Sequence, residues 1–211
     1  MNHHKRFARI VEKNWQNRDL YIDYCSQKAS EYSVYKWHYS QRMPKSKLVR
    51  FGVWEKGEFK GSVIYGLGAN KNSGTFLKLS NFECPELVRV ALGNHKNTVS
   101  KIVSYTLKKL KKDYPNLKAI ISYADPERDH KGKIYQAMNW YYIGKTKPQI
   151  IYYENGKAIH SKTINDRVRI GKISKNHNLK SRKQEGKHKY VYLFDKKLIY
   201  FIKDKILKYP A

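Results

Sequence analysis

At 211 residues, 40% hydrophobic and 14% aromatic, the chain is long and apolar enough to bury its own core, which excludes a disulfide-stapled miniprotein and a generally disordered polymer. Its 44 Lys and Arg face 17 Asp and Glu, a formal charge of +27, and such a field attracts polyanions and repels cationic substrates. No apolar run approaches the ~18 residues of a membrane-spanning helix, residues 1–15 lack a signal-peptide core, and Cys25 and Cys84 make neither a disulfide framework nor a Cys-x-x-Cys pair, so a soluble protein of a reducing compartment is expected.

Residues 48–66 read as two β-rich runs around Glu55-Lys56-Gly57-Glu58, hairpin chemistry with Gly in the turn. A polar loop over 69–81 leads to a short apolar run, 86–92, that reads as a buried strand. The period then changes. Val99, Ile102, Val103, Thr106, Leu107 and Leu110 share one face of a helix over 98–112, with Asn97 or Thr98 as N-cap and Pro115 beyond its end. A strand over 117–123, a short helix over 133–138 and a strand over 140–144 follow. Further on, 149–153 and 190–194 read as strands around a polar stretch, 165–188, and 195–208 as a last helix. The order implies an α+β fold, a central mixed sheet flanked by helices. Residues 157–211 hold 16 Lys and Arg against 4 acids, net +12, so they are expected to form a basic C-terminal extension. A coding bias toward Lys does not make acids scarce, and nucleic acid is therefore the expected partner.

The element order resembles the GNAT acetyltransferase fold, and Ile134-Tyr135-Gln136-Ala137-Met138-Asn139-Trp140 resembles a GNAT signature, with Asn139 and Trp140 where that pattern has Gly and Phe. Asn is the non-Gly residue most tolerant of the left-handed conformation a helix end often needs. More specific blocks are Trp37-His38-Tyr39-Ser40 with Met43-Pro44, Val49-Arg50-Phe51-Gly52-Val53-Trp54, Glu86-Leu87-Val88-Arg89-Val90-Ala91-Leu92, Tyr123-Ala124-Asp125-Pro126 and Lys187-His188-Lys189-Tyr190-Val191. Together they resemble the Mom family of phage DNA-modification proteins. The resemblance implies an N-terminal segment at 1–36, a GNAT-like catalytic core at 37–147, and a basic region at 148–211 that completes the domain and contacts DNA. It implies an enzyme, with acetyl-CoA as donor, that converts adenine in double-stranded DNA to an acetamido- or methylcarbamoyl-type base and so protects phage DNA from restriction in the cytoplasm of the bacterial host. Two other readings stay open, an N-acetyltransferase of a protein or small-molecule amine and a non-catalytic nucleic-acid-binding protein of the same fold. Oligomeric state, a homodimer included, is likewise open.

Within that frame Tyr135 is the expected general acid for the leaving thiolate; its alternative is a core aromatic. Asp125 and Ser122, at the end of a strand, and His38, in a block without strand or helix period, are further catalytic candidates. Glu86 and Arg89 sit three apart, which by simple alternation sets them on opposite faces of a strand; Glu86 is a candidate base and Arg89 a candidate donor ligand. Leu92, Gly93, Lys96, Thr98 and Ser100 surround the start of the amphipathic helix, where GNAT enzymes hold the CoA pyrophosphate and helix N–H groups suit an anion. Lys180, Arg182, Lys183, Lys187, His188, Lys189 and Tyr190 combine cations with an aromatic ring and are the expected DNA contacts. Cys25, Cys84 and His38 lack metal-site spacing, so no metal is assigned from the pattern, and a site assembled in space stays open.

Overall fold

Lys56 and Gly57 both adopt left-handed backbone, φ 48° and 82°, the turn that lets two twisted strands join through two residues. In the computed structural model, which describes residues 19–67, 73–175 and 177–211, they link β2 (Leu48–Glu55) to β3 (Glu58–Gly66), with Glu55 opposite Glu58. Part of the loop expected over 69–81, and residues 1–18 of the expected N-terminal segment, lie outside the described residues. β1 (Tyr21–Tyr24) pairs antiparallel with β2, so the segment before residue 37 enters the same sheet.

That sheet has seven strands in the order β1, β2, β3, β4 (Glu86–Leu92), β5 (Ala119–Ala124), β10 (His188–Leu193) and β6 (Tyr141–Lys145). β4 (Glu86–Leu92) and β5 (Ala119–Ala124) are its parallel pair, joined by α2 (Val99–Asp113). Ile102, Val103, Thr106, Leu107 and Leu110 of α2 are buried, as their spacing requires. The Thr98 hydroxyl accepts the Lys101 N–H and caps the helix. Beneath α2 lie Phe51, Val63, Tyr65, Leu87, Ile120 and Trp140. The other sheet face is covered by α1 (Gln27–Trp37), whose Val34 meets Ile64 and Ala91, and by Leu77, Leu198 and Ile202 around Ile121 and Val191.

Two expectations about the C-terminal quarter are corrected. β10 (His188–Leu193) lies between β5 and β6 (Tyr141–Lys145) in the central sheet, so the basic region is not an extension added after the core. Its first part, within residues 146–187, is an insertion between two neighbouring strands: β7 (Gln149–Glu154), β8 (Lys157–His160), α4 (Ser161–Arg169) and β9 (Lys180–Gln184), with the strands forming a sheet of order β8-β7-β9; β10 completes the central sheet, as the resemblance implied for this region. The helix expected over 195–208 is instead two 3₁₀ segments, Lys196–Phe201 and Lys203–Lys205. The chain then runs on along β6, where the Leu207 N–H donates to the Tyr142 carbonyl and the Tyr209 hydroxyl to that of Trp140. Leu198 and Ile202 are buried while Tyr200 is 71% exposed, a division that short turns satisfy without a continuous helix.

Candidate functional site

β4 and β5 share a single register pair, Glu86 opposite Ile121. Beyond it the strands diverge, and a cleft of about 480 Å³ opens between Leu87–Val90 on one side and Tyr123–Ala124 on the other, walled by Trp37–Tyr39 and by 129–135. Opposite β3, Ile64 faces Arg89 and Tyr65 faces Leu87, leaving Val88 as the extra residue of a bulge. The bulge breaks the alternation along β4. Glu86 and Arg89 therefore form an electrostatically coupled pair, rather than standing apart on the two faces that their spacing suggests.

Tyr135 comes from α3 (Lys133–Gln136) and is buried against Trp140 and Tyr190, with ring centroids 5.0 Å apart in both cases. Asn139 holds left-handed backbone, φ 55°, and takes the position that the signature gives to Gly. Ser122 Oγ donates to the Leu87 carbonyl at 2.8 Å and lies 2.7 Å from the Tyr135 hydroxyl. A hydroxyl has one proton, so Ser122 must accept from Tyr135. Burial pushes the phenol up to about 12, and Tyr135 keeps its proton at neutral pH. Burial also lifts the Glu86 carboxyl to about 7, against the pull of Arg89 and Lys187, which leaves it partly ionised where a general base must work.

Around this pair the C-terminal end of β5 gathers further groups. Asp125 is buried; one carboxylate oxygen accepts the Glu127 N–H at 3.2 Å and the other lies 3.5 Å from Lys187 Nζ. His38 Nδ1 accepts the Ser40 N–H, which places the proton of the neutral ring on Nε2. Burial, with Arg89, His130 and Lys187 nearby, pulls His38 down to about 4, so it is neutral at pH 7. Tyr39 stacks on His38, meets His130 edge-on and has the Arg128 guanidinium 5.6 Å from its ring centroid. Arg89 donates to the carbonyls of Arg42 and Val88.

The donor-ligand candidates divide. Thr98 and Ser100 stand at the start of α2, their hydroxyls 3.3 Å apart, and Ser100 opens onto a second groove of about 610 Å³ along α2, bounded by Lys101, Lys108 and Asn139. Gly93 lies against the Trp37 indole, where a Cβ would come within 2.2 Å of Nε1. Leu92 packs on the core under α2. The Lys96 and Asn97 N–H groups already donate to the Glu55 carboxylate at 2.7 and 2.8 Å, and the Lys96 side chain lies in a different groove with Glu55 and Glu58. A ligand phosphate at this turn is thus left with the N–H groups around Thr98 and Ser100.

Of the seven expected DNA contacts, Lys180 and Lys183 are exposed and, among the described residues, unpaired. The others are committed. Arg182 pairs with Glu127, Lys187 reaches Asp125, and Lys189 lies 3.6 Å from the Phe76 ring centroid. His188 is buried beside the Tyr142 hydroxyl, and Tyr190 is buried in the core with its hydroxyl donating to the Lys131 carbonyl. Tyr190 offers no face to a base, because its period-2 position on β10 points it inward. Tyr39, Arg128, His130 and Lys187 are the site groups that sequence reasoning missed or placed elsewhere. The signal for Tyr39 was its place next to His38, and His130 follows the Tyr123-Ala124-Asp125-Pro126 block by four residues. Among the described residues no three His, Cys, Asp or Glu converge as a metal cage, and no helix is long and apolar enough to cross a membrane.

The same architecture occurs in solved acetyltransferases. An aminoglycoside acetyltransferase AAC(6')-Ib, in complex with coenzyme A and kanamycin, superposes with a TM-score of 0.51 at 6% identity, covering 86% of this chain and 97% of its own. The ribosomal-protein-S5-alanine acetyltransferase of Vibrio fischeri gives 0.50 at 13% identity, covering 86% and 97%. The fold is GNAT-like. In sequence, the methylcarbamoylase mom of Escherichia phage Mu is 31% identical over 132 residues, 61% of this chain and 54% of that protein, so the match spans about half the length of the curated relative. The model of the Mom protein family matches residues 19–211, and with the cleft, the bulge and the Tyr135 signature in place the chain belongs to the Mom family.

Proposed function

We propose that the chain is a phage DNA-modification enzyme that acts on the exocyclic amine of adenine in double-stranded DNA with acetyl-CoA as donor, and so protects that DNA from restriction in the cytoplasm of the bacterial host. One observation carries the reading: beside the point where β4 and β5 diverge, a protonated, buried Tyr135 lines the cleft with a partly ionised Glu86 in electrostatic reach of it. When bound, the donor supplies an activated acyl group on a thiol leaving group. Ser100 and the N–H groups at the start of α2 would hold its phosphates, and the unpaired edges of β4 and β5 its arm. Glu86 would take a proton from the amine, and the Tyr135 hydroxyl, turning from Ser122, would give its proton to the thiol leaving group. Ser122 fixes the Tyr135 hydroxyl, and Arg89 and Lys187 sustain the Glu86 carboxylate.

Acyl transfer alone leaves an acetyl group on the amine; the methylcarbamoyl-type product that the relative's name supports needs a further nitrogen from a separate amine donor. The charge of +27 supports DNA over a cationic amine or basic protein. The inserted sheet, with exposed Lys180 and Lys183, meets the phosphates. Plasmid DNA from cells producing the chain should resist a panel of endonucleases whose recognition sequences contain adenine. Cutting indistinguishable from that of control plasmid by the whole panel refutes the reading.

A further inference from the structure

The amine must attack within reach of Tyr135, and Tyr135 and its partner Ser122 lie at the back of a recess. Tyr135 is 6% and Ser122 1% exposed, and the walls that stand in front of them are β4, β5, residues 37–39 and residues 129–135. In paired adenine the amine sits in a major groove ~12 Å wide and ~8.5 Å deep, which admits one helix or one two-stranded ribbon. A recess walled by two diverging strands and two further segments is too broad to be pushed into that groove. A single nucleotide swung out of the helix fits the recess.

Tyr39 stands where such a base enters. Its ring is 48% exposed at the cleft wall, stacked on His38 with centroids 4.4 Å apart, while its hydroxyl lies in electrostatic reach of Arg89 and Tyr135. The Arg128 guanidinium lies over the ring and swings toward the sugar-phosphate as the base takes its place, and Lys131 and Lys133 line the same cleft, which puts cations where the sugar-phosphate of an extruded nucleotide passes. We infer that the target adenine is read outside the double helix, with the Tyr39 ring as the surface on which it stacks; this rests on the adenine-modifying reading above. Extrusion leaves the opposite thymine without its partner, and stacking on an aromatic ring offsets the lost stacking of the base.

The test uses full-length protein on unmodified plasmid DNA and permanganate, which oxidises unstacked thymines, with modified adenines mapped separately on DNA from producing cells. Thymines opposite the mapped adenines should become at least about fivefold more reactive when protein is bound. Tyr39→Ala should lose that reactivity and lower modification about tenfold, with DNA affinity changed less than threefold and the melting temperature unchanged, whereas Tyr39→Phe should restore both signals. Bound DNA without reactive thymines, or wild-type reactivity and modification in Tyr39→Ala, overturns the inference and leaves the adenine reading standing. A protein that binds no duplex overturns both.

Discussion

Arg182 holds Glu127 by two parallel hydrogen bonds, each terminal guanidinium nitrogen 2.7 Å from a carboxylate oxygen, and thereby fastens the inserted sheet to the turn between Asp125 and His130. Gln184 Nε2 and the Glu185 N–H donate to the same carboxylate, and Lys187, two residues on, reaches Asp125. The insertion and the cleft are therefore mechanically one unit. Breaking the tether with Glu127→Gln should lower kcat several-fold while KM for DNA changes little, because the turn moves and the exposed cations do not. In steady-state kinetics on duplex DNA the Glu127→Arg, Arg182→Glu double variant should recover part of the activity, because it restores the ion pair but not the acceptor for Gln184 and the Glu185 N–H.

The same carboxylate has an acid limit. Hydrogen bonds from Arg182 hold Glu127 down at about 2, so the tether's contribution is complete above the ordinary carboxylate value and fades as pH falls from about 4.5 toward 2. A pH titration of thermal stability should show wild type and Glu127→Gln converging across that window.

Glu86 has the opposite sign. Its folded value of about 7 lies above the ordinary one, so its contribution to stability is present below pH 4.5 and is lost as pH rises through 7. In the proposed mechanism activity runs the other way, since there Glu86 works as the carboxylate. kcat/KM should climb through pH 7, and Glu86→Gln should melt higher than wild type at pH 8 while losing about 10²-fold or more in rate.

Gly132 combines left-handed backbone, φ 77°, with a Cβ position 2.4 Å from the Tyr190 ring. Gly132→Ala should cost about 2–4 kcal/mol from the two effects together, read from denaturant midpoints, and should shift Tyr135, the neighbour of Tyr190.

Lys180 and Lys183 are the free cations among the expected DNA contacts. Replacing both by Gln should weaken binding to every duplex alike and flatten the slope of log affinity against log salt by about 0.9 for each phosphate that is no longer neutralised. An unchanged slope in binding titrations would mean that both face solvent in the complex.

What the sequence discloses follows its periodicity. α2 carries its apolar residues on one face, and the hairpin, β4, β5 and the Tyr135 turn stand close to where pattern and turn chemistry set them. α1 is silent in the sequence because its buried residues are Ser30, Ser33 and Val34, a face with no apolar stripe. β9, Lys-Ser-Arg-Lys-Gln, has no apolar residue and exists through backbone pairing with β7, so it reads as a polar tail. The Val88 bulge is invisible to alternation, and it alone decides that Glu86 and Arg89 act together. Lys187 reads as a phosphate ligand because the strand order that carries it to Asp125 requires β10 to lie between β5 and β6.

The central proposal is that Tyr135 in the cleft, with Glu86 in electrostatic reach of it, modifies adenine in DNA. Mass spectrometry of nucleosides from plasmid DNA, recovered from cells producing wild type, Glu86→Gln or Tyr135→Phe at equal abundance, tests it most directly. The account predicts a mass-shifted deoxyadenosine with wild type and about 10²-fold or more less of it with either variant. Unshifted deoxyadenosine with wild type, or an undiminished shift with both variants, would contradict it.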